Sequence, residues 1–515
     1  MNASKEGLRN RLGWVGLPAG PLAGICAFLL SDGGMVPAPG LEAILLSAAG
    51  RATLGLLAWM AVWWLTEAIP VEATALLPLA VLPMVTVGET DSAAAAMHAA
   101  AAPYANPFIF LFMGGFMLAL AMERWGLNQR MALRTLRLVG RNPRHIVAGF
   151  MAITAFLSMW VSNTATTVTM LPIALSVTRL FREKDDDTSA ESRKRHRDFE
   201  LCLLLGIAYA ASIGGIGTLI GTAPNLLLAA FVENTYGREI SFVTWMGIGL
   251  PLVLLFLPAT WWLLTRVLHP VTGKPLAGEK NVLEQELRRL PPMNRGEAVT
   301  LTVFGLAALA WILRPVLTSL HVGGWRPLEG LTDAGIAVLA ALALFVIPVD
   351  WRRRRFVLDW ETARRLPWGI LLLFGGGLSL AAAVKEHGVA AYLGVHARAL
   401  GDLPGFLIVI LITTGVIFLT ELTSNTATTA TLLPVLAGLA PHLGIEPMLI
   451  LVSATVAASC AFMMPVATPP NAIVYGTGLV AMRDMCRAGF RLNIIGAALV
   501  PLLAYALALP LLTGR

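Results

Sequence analysis

Apolar runs, most of them close to the ~20 residues that a helix needs to cross a bilayer, recur along the chain between short polar stretches. They predict spans near 14–31, 52–68, 72–88, 107–123, 200–234, 242–268, 297–318, 331–349, 367–384, 446–475 and 489–513, eleven crossings in all. Two further apolar stretches, 145–182 and 404–440, are each interrupted midway by a polar hexapeptide. Irregular backbone is tolerated at membrane depth only where protein, water or ligand satisfies its polar groups. Each interrupted stretch is therefore expected to be a re-entrant hairpin, two short helices that enter and leave on one side. The expected fold is an all-α membrane protein of eleven transmembrane helices plus two hairpins, a single integral domain over 1–515. The first run, Trp14 to Leu30, has the length of a secretory signal, but no small-residue cleavage site clearly ends it and it is expected to stay as a helix.

Composition agrees with lipid as the solvent. Hydrophobic residues make up 57% of the chain and charged ones 13%, against roughly 25% charged residues in a soluble domain. The four cysteines, Cys26, Cys202, Cys460 and Cys486, lie in or beside apolar segments without disulfide or zinc spacing. The net charge of +7 does not point to nucleic acid, because the basic residues sit in short loops between spans. Of the 38 Lys and Arg, 31 fall in the loops 1–13, 124–144, 179–199, 266–295, 351–366 and 483–491, all on one side of the predicted membrane. Cytoplasmic loops carry that excess, so the N-terminus is expected in the cytoplasm and the C-terminus outside a cell inner membrane. The first hairpin then opens to the cytoplasm and the second outward, and the charged stretch 183–199 is expected to be a solvated cytoplasmic insertion.

The chain also repeats itself. MGGFMLALAMERWGL from Met113 resembles FGGGLSLAAAVKEHGV from Phe374, and each precedes a hairpin carrying SNTATT, at Ser162–Thr167 and Ser424–Thr429. Gly114 to Ser162 is 48 positions and Gly375 to Ser424 is 49. A Gly/Pro-rich, broken span follows each hairpin: GGIGTLIGTAPN from Gly214 and MMPVATPPN from Met463. Aligning their Pro-Asn pairs sets Gly221-Thr222 against Ala467-Thr468. The predicted topology turns the copies in opposite directions, with a first repeat over 52–268 and a second over 297–513. Inverted repeats with interrupted helices in corresponding places are the plan of secondary transporters, and the interruptions mark the binding site.

The hexapeptide chemistry suits two kinds of ion. Half-helices that start near Asn163 and Asn425 offer free N–H groups and partial positive charge to a carboxylate without any arginine. Hydroxyls such as Ser162, Thr164, Ser424, Thr426, Thr222 and Thr468, and the Asn amides, add donors. The same hydroxyl, amide and carbonyl oxygens are hard ligands for an alkali cation. Two similar tips meeting near the midplane suit a substrate with a carboxylate at each end.

Together WWLTEAIPVEATALLP (Trp63 to Pro78), both SNT motifs, GTAPN and PVATPPN resemble the divalent anion/sodium symporter family, the sodium-dicarboxylate and citrate carriers. The resemblance implies a homodimer working by an elevator motion, with a scaffold and a mobile transport domain that holds both hairpins and the broken spans. It implies two or more sodium ions, one held by Ser158, Ser162, Asn163 and the Gly221 carbonyl, another by Thr420, Thr423, Asn425 and Ala467. A substrate such as succinate, malate or fumarate would meet Asn163, Thr164, Asn425, Thr426, Thr468 and Pro469. The family's first broken span usually reads GTPPN; this chain has Ala223 in place of the first proline.

Neither HExxH, GxSxG nor a Walker sequence occurs, so an intramembrane enzyme is not expected. Within carriers the residues leave open sulfate or citrate as substrate, exchange of one dicarboxylate for another, and proton coupling. Glu421, three residues before the second hexapeptide, is the protonatable candidate for the last, whereas the first repeat has Met159 at that place.

Overall fold

Eight helices in the computed structural model, which describes residues 2–31, 45–88, 91–137, 142–183, 189–271, 290–321, 325–397 and 403–513, are long and apolar enough to cross a membrane. They are Leu12–Leu30, Ala48–Thr66, Ala93–Arg124, Ala190–Gly215, Phe242–Leu268, Arg295–Thr318, Trp368–Glu386 and Met482–Thr513. The other three expected spans form shorter pieces: Val71–Thr86, Asp333–Val346 and Pro447–Ala458, the last continued after a break by Pro469–Gly476. The chain is a multi-pass, almost entirely helical membrane protein. It is all-α as expected apart from a short two-stranded antiparallel hairpin among the described residues, Pro348–Asp350 with Arg355–Phe356. Pro348 disfavours helical backbone at Ile347 and has no N–H to continue the preceding helix, so the run expected to reach 349 ends at Val346.

Both interrupted stretches fold as helix, tip, helix. The first is Pro143–Ser158 and Asn163–Glu183, the second Gly405–Thr420 and Asn425–His442. The charged insertion is corrected in part. Ser189 accepts a hydrogen bond from the Ser192 N–H and starts a helix at Ala190 that runs without interruption into the apolar Leu201–Gly215. Exposed Arg193, Lys194 and Arg197 are its first turns, and 184–188 lie outside the described residues.

Packing brings the two halves together. Helix Ala190–Gly215 lies on both arms of the first hairpin, and Pro447–Ala458 lies on both arms of the second. The short helices that follow the breaks cross over: Pro469–Gly476 packs on Asn163–Glu183, and Ala223–Tyr236 packs on Asn425–His442. A Cβ on Gly214 would come 2.3 Å from the Ala155 carbonyl oxygen, so glycine there lets Ala190–Gly215 meet the hairpin backbone to backbone. Close approach of this kind, through dispersion contacts, is how membrane helices associate without a hydrophobic drive between them. Buried and half-buried aromatics pack around the tips. Trp160 of the first tip stacks on Phe242, which stacks on Trp311, and Phe462 of the second break meets Tyr209 and Phe256 edge-on.

Candidate functional site

Each tip begins its helix with a serine cap, because the first N–H groups of a helix have no partner inside it. Ser162 Oγ accepts from the Ala165 N–H at 3.2 Å and Ser424 Oγ from the Ala427 N–H at 3.5 Å. The asparagine that follows is half-buried in both copies. Ser158 Oγ lies 2.6 Å from Asn163 Oδ1 and 2.7 Å from the Ala211 carbonyl oxygen. Thr420 Oγ1 repeats the arrangement, 2.7 Å from Asn425 Oδ1 and 2.9 Å from the Ala458 carbonyl oxygen. Each cluster brings three oxygens together around one hydroxyl hydrogen, and the excess of acceptors suits a cation.

Gly221 joins the first cluster. A Cβ on Gly215 would sit 2.6 Å from Asn163 Oδ1 and 3.1 Å from the Gly221 carbonyl oxygen, so amide and carbonyl converge on the bare face of Gly215. At the second cluster the Thr423 hydroxyl turns away, to the Leu419 carbonyl at 3.0 Å and Thr428 Oγ1 at 2.7 Å. The Ala467 N–H closes a turn onto Met464. Thr222 and Thr468 cap the helices that follow the breaks, Thr468 through its hydroxyl. Thr164 is exposed, Thr426 half-buried and Pro469 exposed, and neither threonine hydroxyl has a hydrogen-bond partner among the described residues.

The breaks are held open by side chains whose part the pattern of hydrophobic residues does not reveal. Asn225 Nδ2 donates to the carbonyls of Gly215, Ile216 and Thr218 at 3.1, 3.4 and 2.7 Å. Asn471 Nδ2 does the same for Ala461 and Met464 at 3.3 and 3.1 Å. The Trp245 Nε1–H adds a bond to the Ile216 carbonyl at 2.9 Å. Glu421 serves the N–H groups of the second break: its carboxylate accepts from the backbone of Phe462, Met463 and Met464 and from Asn493 Nδ2, each at 2.8 Å. The carboxylate is 3% exposed and acts as an anchor for backbone that a membrane would otherwise leave unpaired. Asn225 and Asn471 were visible as the repeated Pro-Asn pair and Gly215 lies in the Gly/Pro-rich break; Ala211 and Ala458 had no comparable signal.

Residues 28–512 match the family described as the sodium:sulfate symporter transmembrane region. The chain belongs to that family. It is 41% identical over 500 residues to the sodium-dependent dicarboxylate transporter SdcS of Staphylococcus saprophyticus, which spans 97% of this chain and 92% of that protein. The SdcS protein of Staphylococcus aureus is 41% identical over 467 residues, 90% of this chain and 87% of its own length. Among solved structures, the Alcanivorax borkumensis YdaH transporter superposes with a TM-score of 0.58 over 96% of this chain and 97% of its own. At 15% identity that likeness concerns the fold alone. Membership of a symporter family agrees with the expectation of a carrier rather than an enzyme.

Proposed function

We propose that the chain is a sodium-coupled symporter of C4-dicarboxylates such as succinate, malate or fumarate. The observation that carries this reading is the duplicated oxygen cluster, Ser158–Asn163–Ala211 and Thr420–Asn425–Ala458. The sodium dependence and dicarboxylate transport in the names of its 41% identical relatives support the same chemistry.

A carboxamide has one accepting and one donating end. With the Oδ1 of Asn163 and of Asn425 turned to a cation, each Nδ2 is left for a carboxylate. The substrate's two ends then meet the two helix N-termini, where the backbone N–H groups and the hydroxyls of Ser162, Thr164, Ser424 and Thr426 add donors, with Thr222, Thr468 and Pro469 around them. One sodium is assigned to Ser158, Ser162, Asn163 and the Gly221 carbonyl, the other to the Thr420 hydroxyl, Asn425 and the backbone at Thr423 and Ala467. Because each asparagine serves both ions, sodium strengthens substrate binding and substrate strengthens sodium binding by the same factor. Two monovalent cations also balance a dianion.

The same reading places the repeats 52–268 and 297–513 in inverted orientation in an inner membrane, with the N-terminus cytoplasmic and the C-terminus outside. The hairpins and broken spans move as one elevator against the remaining helices within a homodimer. The deciding experiment is uptake of labelled succinate, citrate and sulfate by the purified protein in liposomes under sodium, potassium and proton gradients. Succinate uptake that requires sodium is expected; equal uptake in potassium overturns the coupling, and preference for citrate or sulfate overturns the substrate.

A further inference from the structure

A strongly basic projection that the transport site does not use stands at the end of helix Asp333–Val346. That helix exposes Leu339, Leu342 and Val346 by 61%, 53% and 69%, at spacings of three and four residues that form one apolar face. The chain leaves it into the two-stranded hairpin whose turn carries Arg352, Arg353 and Arg354 and whose second strand starts with Arg355, all exposed.

The turn is built rather than a loose charged run. Asp350 Oδ1 accepts from the N–H groups of Arg352 and Arg353 at 3.0 and 3.1 Å, and Arg354 adopts left-handed backbone at φ 48°. Its base is clamped by the Val357 N–H on the Ile347 carbonyl at 3.2 Å and the Leu358 N–H on the Leu344 carbonyl at 3.0 Å. The Trp125 Nε1–H adds a bond to the Val357 carbonyl at 2.8 Å, and the Arg355 guanidinium sits 5.2 Å over the Trp125 ring. Arg353 reaches Asp350 only loosely, at 3.8 Å, and among the described residues Arg352 and Arg354 have no ion-pair partner. Trp351 and Trp360 flank the turn, 75% and 59% exposed.

Orientation in the membrane needs positive charge in this loop, but it needs neither a pinned turn nor two exposed tryptophans. Tryptophan favours the membrane–water boundary, and guanidinium groups pair with phosphates through paired N–H donors. We propose that Arg352–Arg354, with Trp351 and Trp360, form a docking surface for the headgroups of anionic phospholipids in the leaflet where helix Asp333–Val346 ends. That leaflet is the cytoplasmic one under the orientation proposed above; the binding itself does not depend on that orientation. The surface fixes the depth of this face of the protein, with the apolar side of Asp333–Val346 above it.

The test is native mass spectrometry of the full chain, titrated with phosphatidylglycerol or phosphatidylcholine. The wild type is expected to retain phosphatidylglycerol preferentially. A basic residue at an anionic surface is worth about fivefold in affinity, so the triple substitution Arg352→Gln, Arg353→Gln, Arg354→Gln should weaken phosphatidylglycerol binding about 100-fold and leave phosphatidylcholine unchanged. The triple Arg→Lys variant is expected to restore most of the binding with unchanged melting temperature, which separates the charge from any folding defect. Neutralising the exposed pair Arg193→Gln, Lys194→Gln is expected to have no effect. The proposal is overturned if the triple Gln variant keeps its phosphatidylglycerol, or if the Arg193/Lys194 variant loses as much. Soluble glycerol phosphate displacing the lipid at equal concentration, or the triple Gln variant shifting the monomer–dimer balance instead, overturns it as well.

Discussion

Asn493 Nδ2 donates to Glu421 Oε1 at 2.8 Å, and through that bond the last long helix and the backbone of the second break share one carboxylate. All four of its bonds use the carboxylate as an acceptor. Glu421→Gln puts an amide N–H₂ where one oxygen stood, facing a backbone or Asn493 donor. A buried donor left unpaired costs about 1–3 kcal/mol. The variant is therefore expected to melt lower and transport more slowly, yet to keep its sodium dependence. Uptake by the wild type in potassium under an inward proton gradient, lost in Glu421→Gln, would instead make Glu421 the proton site.

Asn163→Ala and Asn425→Ala each remove a side chain assigned to both ions. Losing even an outer partner of a metal site commonly weakens binding about 10–100-fold, so each variant is expected to lose sodium-dependent uptake while expression and dimerisation persist. Size-exclusion chromatography beside liposome uptake checks both halves of this statement. Near-normal transport by either variant would remove the core of the functional reading.

Gly215→Ala tests the first cluster without removing any oxygen assigned to sodium. The added methyl would press on Asn163 Oδ1 at 2.6 Å and on the Gly221 carbonyl at 3.1 Å. Sodium-dependent thermal stabilisation of the purified protein should weaken tenfold or more, on the same scale as an outer-partner loss. Gly476→Ala is the control, since a Cβ there meets nothing within 4 Å. An unchanged sodium titration in Gly215→Ala would place the cation elsewhere.

Orientation is tested by labelling single cysteines with a membrane-impermeant maleimide. Cys26 and Cys486, exposed and half-exposed, are first replaced by serine. A cysteine at exposed Ala190, before the apolar part of its helix, is expected to react only from the cytoplasm, and one at exposed Leu403, ahead of the second hairpin, only from outside. Labelling of both from one side would refute the inverted arrangement.

The helical class, both hairpins and both breaks were legible in the amino-acid pattern, because a membrane forces each segment to declare itself locally. Twenty apolar residues must become a helix, and a polar SNTATT or a Gly/Pro stretch at that depth must be an interruption. Repetition of SNTATT and of Pro-Asn then marked Asn163 and Asn425 as equivalents. Of the eleven expected crossings, eight are long apolar helices, while Val71–Thr86, Asp333–Val346 and Pro447–Ala458 are shorter. Which partner satisfies each interruption was decided only in three dimensions. The carbonyls of Ala211 and Ala458 belong to residues whose side chains carry no chemistry, so nothing in their identity marks them. The four donors on Glu421 come from residues 41 to 72 positions away. Likewise, only packing sends Pro469–Gly476 onto the first hairpin and Ala223–Tyr236 onto the second. A buried polar group must find a partner, which is a local demand; helix crossing supplies the partner, and that is a property of the whole fold.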